Sequence, residues 1–160
     1  YKKYFRGFEN AYICEIASQV GVRESRNITT EYVLTASDLL SRAKFADMFC
    51  QSNYPVDIHG KSLNFGKIKV TPNEDGKNWY EIPYRSLVVK GIDNLFVAGR
   101  CLGAEFLAQS SLRVQHSVRS SGEAAGIAAA MCVRGNVLPR MIDGAAVREV
   151  MISKGAEYTE

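Results

Sequence analysis

The clearest structural pattern in the chain is the run Asn94-Leu95-Phe96-Val97-Ala98-Gly99-Arg100-Cys101. Its four consecutive apolar residues predict a short strand that is buried on both faces, and the glycine after them predicts its end. A strand that ends on glycine lets another molecule approach its backbone closely. In an open α/β sheet, ligands bind at the carboxyl ends of the strands. The run therefore predicts an α/β sheet with a ligand site beside Gly99.

A helix rich in small residues is predicted to follow this strand, at about residues 114–133. Gly122, Ala125, Gly126 and Ala129 would share one face of it, because they are spaced at i, i+3, i+4 and i+7. Such a face suits tight packing on a strand, with no ligand involved, and it equally suits close approach to a bound molecule. The start of the helix would offer free N–H groups and a partial positive charge to an anionic group.

The rest of the chain predicts a mixture of strands and helices. Residues 35–38, Thr-Ala-Ser-Asp, have the form of a helix N-cap and predict a helix that continues to about Phe49. Residues 66–70 and 79–84 flank a polar turn and predict an antiparallel hairpin. The other predicted elements are a strand or buried apolar segment at residues 11–17, strands at 29–34, 56–60 and 87–89, and an amphipathic helix at 142–154 that Gly155 ends.

Composition argues against several classes of protein. The chain has 160 residues, about one domain, and its net charge of +3 comes from scattered basic residues, so no nucleic-acid partner is expected. Its four cysteines lack CxxC spacing and only two histidines accompany them, so we expect free thiols and no metal site. No apolar run is long enough to span a membrane, and no signal peptide is visible. The chain starts at Tyr1 and is expected to begin inside a longer protein or to be a processed piece of one.

Two sets of charged or titratable residues could bind an anion or transfer a proton. Arg23, Glu24 and Arg26 lie in a charged segment where two arginines could hold a carboxylate or phosphate, although an exposed salt-bridged strand explains the same pattern. His59 and His116 titrate near neutral pH and could move protons, although a lone histidine is often structural. Two more arginines are candidates for holding an anion: Arg85 and Arg113.

Several short segments resemble the C-terminal half of the bacterial FAD-dependent oxidoreductases. These are glutathione-reductase-like flavoproteins that are distantly similar to the flavoprotein subunits of fumarate reductase and succinate dehydrogenase. The segments occur in the same order in the family, and they cover nearly the whole chain from about Gly7. They are residues 21–26, 31–35, 54–60, 82–87, 94–101, 111–115 and 122–126.

The resemblance implies an α/β flavoprotein with two domains. Residues 1–86 would belong to a mainly antiparallel cap domain on the substrate side, with α+β character. Residues 87–135 would supply the last strand and helix of a Rossmann-type FAD domain, and residues 136–160 a linker and a C-terminal helix. The implied reaction is hydride transfer between a small polar or anionic substrate and flavin N5. The alternative is a non-catalytic binding or structural module derived from the same fold.

The resemblance also implies roles for individual residues. FAD would be contacted by Gly99, Arg100, Arg113, Val114 and Gln115. Catalysis would involve His59, His116 and Arg113. Substrate would be held by Arg23, Glu24, Arg26, His59 and Arg85.

The chain departs from the family pattern in two respects. Many relatives have proline at the position of His116, and glycine is common where Ser110 or Ser111 stands. More importantly, no GxGxxG motif occurs in the 160 residues. The N-terminal strand–GxGxxG–helix unit carries the pyrophosphate site, so these residues alone are expected not to hold FAD tightly. The expected partners are this N-terminal half and a small-molecule substrate, and the oligomeric state is not indicated.

Overall fold

The computed structural model describes residues 1–23, 26–58 and 77–159. This part of the chain contains four helices and one two-stranded sheet, so the expected mixture of α and β structure is confirmed at this coarse level. Short 3₁₀ turns lie at Tyr84–Leu87, Gly99–Cys101 and Pro139–Met141. The named elements are α1 (Ala36–Ser41), β1 (Met48–Ser52), β2 (Tyr80–Pro83), α2 (Phe106–Leu112), α3 (Gln115–Gly135) and α4 (Gly144–Ser153).

Helix α1 begins at the predicted N-cap but is shorter than predicted. The Thr35 hydroxyl accepts from the Asp38 backbone N–H at 3.2 Å, and Asp38 Oδ2 accepts from the Thr35 N–H at 2.8 Å, which completes a capping box. Arg42 then adopts a left-handed conformation with φ 54° and ends the helix. The predicted extension to Phe49 is wrong, because Met48–Ser52 forms strand β1 instead.

The sheet pairs β1 with β2 in antiparallel register. Cys50 faces Ile82, and Ser52 faces Tyr80, with an irregularity at the Met48 end. Helices α3 and α4 both pack on β1. Because four of its five residues are buried, β1 shows no polar–apolar alternation, and a short run of this kind cannot be told from a buried helix by its sequence.

The predicted buried strand at residues 95–98 is reduced to one antiparallel bridge, between Val88 and Phe96. Asn94 turns the chain back on itself with φ 57°. The Val97 N–H then donates to the Leu87 carbonyl at 2.9 Å. Within the described residues this segment therefore follows a tight turn and pairs with residues 87–88 in antiparallel fashion, and it is not a strand of a parallel sheet.

Helix α3 confirms the predicted long helix but buries a different face. Its buried residues are Ser117, Ser121, Ala124 and Ala128. Gly122 and Gly126 are exposed, and a Cβ on either would meet no atom within 4 Å. Within the described residues, no strand packs on these two glycines, and close approach of a ligand to them stays a prediction.

The remaining predicted elements have mixed outcomes. Residues 11–17 form no regular element and expose large apolar side chains such as Tyr12 and Ile13, so the predicted strand or buried segment is wrong. Helix α4 is confirmed within two residues, and Gly155 follows it with φ 97°. Residues 66–70 of the predicted hairpin lie outside the described residues, as does the end of the strand predicted at 56–60.

The core lies between the sheet and helices α2, α3 and α4. Across the described residues, no helix is both long and apolar enough to span a membrane. The residues at the centre of the core have in common that they are almost fully buried: Leu34, Leu39, Phe49, Ile82, Leu87, Leu102, Ala108, Leu112, Ala124, Ala128 and Val147.

A substitution at Gly103 tests the packing of this core. A Cβ there would lie 1.6 Å from Thr30 Oγ1 and 2.9 Å from the Tyr32 carbonyl oxygen, so Gly103→Ala forces the backbone apart. We expect it to lower the free energy of unfolding by about 2 kcal/mol. Gly126→Ala is the matched control, because it fills open space in α3 and is expected to raise that free energy by about 0.5–1 kcal/mol. Urea unfolding measures both, and equal stability of the two variants would contradict this packing.

Candidate active site at the start of helix α3

The turn at Gly99 lies against the first turns of helix α3. Gly99 has φ 75°, a conformation that favours glycine, and its N–H donates to Ser121 Oγ at 2.7 Å. Ser121 Oγ in turn donates to the Val118 carbonyl at 2.7 Å. A Cβ at Gly99 would lie 3.8 Å from Val118 Cγ1. The structure thus brings Gly99 and Arg100 beside the start of α3.

The junction between α2 and α3 is polar and buried. Gln109 is fully buried, and its Nε2 donates to the Arg100 carbonyl. Its Oε1 has no hydrogen-bond partner within the described residues. Arg113 ends α2, and its Nη2 donates to the Asp57 carbonyl at 2.8 Å. Val114 is the N-cap of α3 and provides no side-chain cap, so the first N–H groups of the helix are available to a ligand.

His116 stands in the first turn of α3, with one ring nitrogen directed inward. Its Nε2 lies 3.1 Å from Ser52 Oγ on strand β1 and 3.1 Å from Ser117 Oγ. Both serines are buried. Desolvation by the surrounding protein lowers the pKa of His116 from its ordinary value, so the imidazole is neutral at pH 7.

Two buried groups behind His116 do not ionise near neutral pH. Tyr80 OH lies 2.6 Å from Ser111 Oγ, and burial raises the pKa of Tyr80 to about 12. Burial also raises the pKa of Cys50 to about 11, with hydrogen bonds from Ser120 and Ser117 opposing the shift. Neither group therefore serves as a nucleophile or base at pH 7.

The sequence did not identify the partners of His116. Ser52 lies beside His116, and Tyr80 is its cross-strand neighbour, so these residues come together only through the register of β1 and β2. No local motif contains both of them. The sequence signal nearest to this site is the polar segment before the predicted helix, residues 109–115, which contains Ser111.

A cavity of about 660 Å³ opens beside His116. One side of it is formed by strand β1 and by Asn53, which follows the strand, and another side by the C-terminal tail. The tail is held by Gln51, whose Nε2 donates to the Thr159 carbonyl at 2.8 Å and whose Oε1 accepts from the Thr159 N–H at 2.7 Å. Other residues that line the cavity are Trp79, Ser120, Glu123 and Tyr158.

Arg85 lies at a different cavity, of about 700 Å³. Its Nε and Nη2 donate to the two carboxylate oxygens of Asp47 at 2.9 and 3.3 Å, and its guanidinium lies 5.2 Å from the centre of the Tyr32 ring. The hydrogen bond with Asp47 raises the pKa of Arg85. The structure therefore does not bring Arg85 into the cavity beside His116.

The structure does not bring the other described residues predicted to bind substrate to either cavity. Arg23 and Arg26 are exposed, while Glu24 and His59 lie outside the described residues. Within residues 1–23, 26–58 and 77–159, no group of three or more His, Cys, Asp or Glu side chains could hold a metal ion.

Thiol labelling tests the burial of Cys50. Cys14 and Cys101 are exposed, whereas Cys50 is buried and has a raised pKa. At about pH 8 only about 0.1% of a thiol with a pKa near 11 is thiolate, which is the reactive form. We expect a small disulfide reagent to label Cys14 and Cys101 first, with Cys50 at least ~100-fold slower, as followed by peptide mass spectrometry. Labelling in urea is the control, and equal rates in the folded protein would contradict the assignment.

A pH titration of stability tests the environment of His116. Because its pKa is lower in the folded than in the unfolded chain, the folded state binds fewer protons. Its contribution to stability is complete above the unfolded value of about 6.5 and is lost as the pH falls through the folded value. We expect unfolding free energies measured by urea to fall between about pH 7 and 5, and His116→Gln to flatten this slope.

The comparison is made in a His59→Gln background, so that His116 is the only histidine in the protein. Glu123 and Glu157 also line the cavity, and both are present in the two proteins compared. An unchanged slope in His116→Gln would contradict the lowered pKa.

Comparison with known proteins gives one family. The model of the family described as FAD dependent oxidoreductase matches residues 1–151. No curated protein and no solved structure matches the chain significantly. Because the family match covers most of its length, the chain belongs to the FAD-dependent oxidoreductases, enzymes whose cofactor is FAD.

Proposed function

We propose that this chain supplies one wall of the FAD site and a proton-transferring histidine to an oxidoreductase. The reaction is hydride transfer between a small polar or anionic substrate and flavin N5. The observation that carries the proposal is the start of α3 itself: its first N–H groups, after Val114, have no side-chain cap, the Gly99 turn packs on its second turn, and His116 in its first turn lines a cavity. Within the family, the motifs point to the glutathione-reductase-like group that is distantly similar to fumarate reductase flavoproteins.

The residues at the start of α3 fit a flavin. The flavin pyrimidine ring presents carbonyl oxygens, which are acceptors that suit the backbone N–H groups of Val114 and Gln115. The positive end of the helix dipole and the side chain of Arg113 suit negative charge on this edge. Gly99 and Arg100 would face the ribityl chain or the pyrophosphate, and Arg100 is exposed. When bound, FAD supplies the atom that accepts or donates hydride.

His116 is suited to move the proton that accompanies hydride transfer. When an alcohol or amine is oxidised, it loses a hydride from carbon and a proton from the heteroatom. A neutral imidazole that lines the cavity can accept that proton, and the same ring can return it in the reverse direction. His59 remains the second candidate for this role. Arg23, Glu24, Arg26 and Arg85 are proposed as substrate-side residues on the cap portion, residues 1–86.

The FAD site is proposed to need a partner segment. Residues 87–135 would complete a Rossmann-type domain whose GxGxxG-bearing half carries the pyrophosphate, with residues 136–160 as the C-terminal linker and helix. The 160 residues contain no GxGxxG motif. We infer that on their own they neither retain FAD nor catalyse the reaction. The same observation favours the second candidate function, a non-catalytic binding module.

Flavin retention separates these possibilities. We expect the purified 160-residue chain to show no stoichiometric flavin absorbance near about 450 nm, and its co-expression with a GxGxxG-bearing segment encoded upstream to restore it. Intact-mass spectrometry confirms which polypeptides are present. Stoichiometric flavin on the 160-residue chain alone would overturn the need for a partner segment. An upstream region with no such motif, together with no flavin in any preparation, would favour the non-catalytic module.

A further inference from the structure

The cavity beside His116 is lined by two carboxylates. Glu123 reaches it from α3 and Glu157 from the C-terminal tail, and both residues are exposed. Burial is the main cause that raises the pKa of Tyr158, which also lines the cavity, to about 12, and the charge of Glu123 adds to this shift. Among the described residues no Arg or Lys lines the cavity, and His116 is neutral at pH 7. The described lining therefore carries a net negative charge.

The cations close to this cavity have contacts outside it. Lys44 and Lys77 lie over the Trp79 ring, with their Nζ atoms 4.2 and 5.8 Å from the ring centre. Lys44 Nζ also lies 3.9 Å from Glu81 Oε1, and Arg148 donates to a backbone carbonyl at 3.1 Å. None of these three cations lines the cavity. An anionic ligand would therefore meet two like charges and no cation of the described lining, which weakens its binding.

The neutral groups of the lining suit a ligand that carries several hydroxyl groups. Asn53 and Asn78 each offer an amide oxygen that accepts and an NH₂ group that donates, and Ser120 offers a hydroxyl that does both. A hydroxyl on a ligand also donates and accepts, so it can pair with any of these groups and with either carboxylate. Trp79 and Tyr158 add aromatic rings, on which an apolar C–H surface can pack. The lining thus matches both the hydroxyls and the C–H groups of a polyol.

The size of the cavity and the chemistry of an alcohol agree with such a ligand. The volume of about 660 Å³ lies within the range of ~300–1,000 Å³ that is typical of small-molecule sites. When an alcohol is oxidised, its carbon loses a hydride, its hydroxyl loses a proton, and a carbonyl forms. The hydride goes to FAD and the proton to His116, so one hydroxyl of a polyol is a complete reacting group for the proposed reaction.

We propose that the cavity beside His116 binds a neutral polyhydroxylated substrate, such as a sugar or a sugar alcohol. The charges of Glu123 and Glu157 select against an anionic substrate, and the amides and hydroxyls of the lining bind the hydroxyl groups. This narrows the substrate class from small polar or anionic molecules to neutral ones. The inference rests on the proposed function for the oxidation of the ligand, but binding itself can be measured without flavin.

The first experiment compares one sugar ring with three different charges. Trp79 lines the cavity and is the only tryptophan in the sequence, so its fluorescence reports on ligands that bind there. The chain is titrated at constant ionic strength with neutral glucose, with glucuronate, which carries a carboxylate, and with glucosamine, which carries an ammonium group. We expect a saturable change with glucose and a dissociation constant of about 1–10 mM. Glucuronate is expected to bind at least ~10-fold more weakly.

The three titrations have distinct outcomes. Glucuronate binding as tight as that of glucose would overturn the proposal, and so would the lack of a saturable response to glucose up to about 100 mM. Glucosamine is expected to bind within about tenfold of glucose, because ion pairs with exposed carboxylates contribute little. A larger preference for glucosamine would indicate an amine site and would also overturn the proposal.

The second experiment removes the negative charges of the lining. In the double variant Glu123→Gln and Glu157→Gln, the amides still form hydrogen bonds but carry no charge, so glucuronate is expected to gain about tenfold in affinity relative to glucose. Glu149→Gln is the matched control, because Glu149 is exposed on α4 and does not line the cavity. If the double variant and the control gave the same ratio of affinities, the role of the two carboxylates would be refuted. A failure of flavin retention would affect the proposed function and leave these titrations unchanged.

Discussion

The position of the Gly99 turn depends on a hydroxyl group that helix α3 buries. Ser117 and Ser121 are fully buried on its inner face. A buried hydroxyl without a partner costs about 1–3 kcal/mol, and each of these serines has a partner on α3 itself: Ser121 Oγ donates to the Val118 carbonyl, and Ser117 Oγ lies beside His116 Nε2. Ser121 Oγ also accepts from the Gly99 N–H, and this contact holds the Gly99 turn against α3.

A polar inner face also explains the precision of the site. Apolar side chains attract without direction, so an apolar helix face tolerates small rotations with little loss. Hydrogen bonds between 2.6 and 3.1 Å restrict both distance and angle. The Arg85–Asp47 pair at the other cavity is a bidentate contact, but Arg85 is half exposed, and such pairs contribute little to stability. The serine face is thus the stronger constraint on the geometry.

The sequence predicts the local features well and the long-range ones poorly. The capping box at Thr35, helix α3, and the stop of α4 before Gly155 all follow from short-range patterns. The predicted length of α1 and the predicted strand at residues 95–98 were wrong. Short apolar runs have no periodicity that distinguishes a helix, a strand and a turn.

The residues of the candidate site also differ in whether a local sequence pattern singles them out. His116 and Gly99 could be predicted because each stands beside a recognisable local pattern. Ser52 and Tyr80 could not, because their contact exists only in the register of β1 and β2. The exposed charged segment around Arg23 shows the converse: the sequence pattern is conspicuous, but Arg23 and Arg26 remain exposed in the fold.

The attachment of the C-terminal tail has a consequence for how such enzymes diversify. The family match ends at residue 151, yet Tyr158 and Thr159 line the cavity beside His116. They are attached to β1 by the Gln51 side chain and by a hydrogen bond of 3.0 Å from Tyr158 OH to the Phe49 carbonyl. Neither attachment involves the serines buried on the inner face of α3. Substitutions in the tail can therefore change the shape of the cavity while the packing of α3 on β1 stays intact.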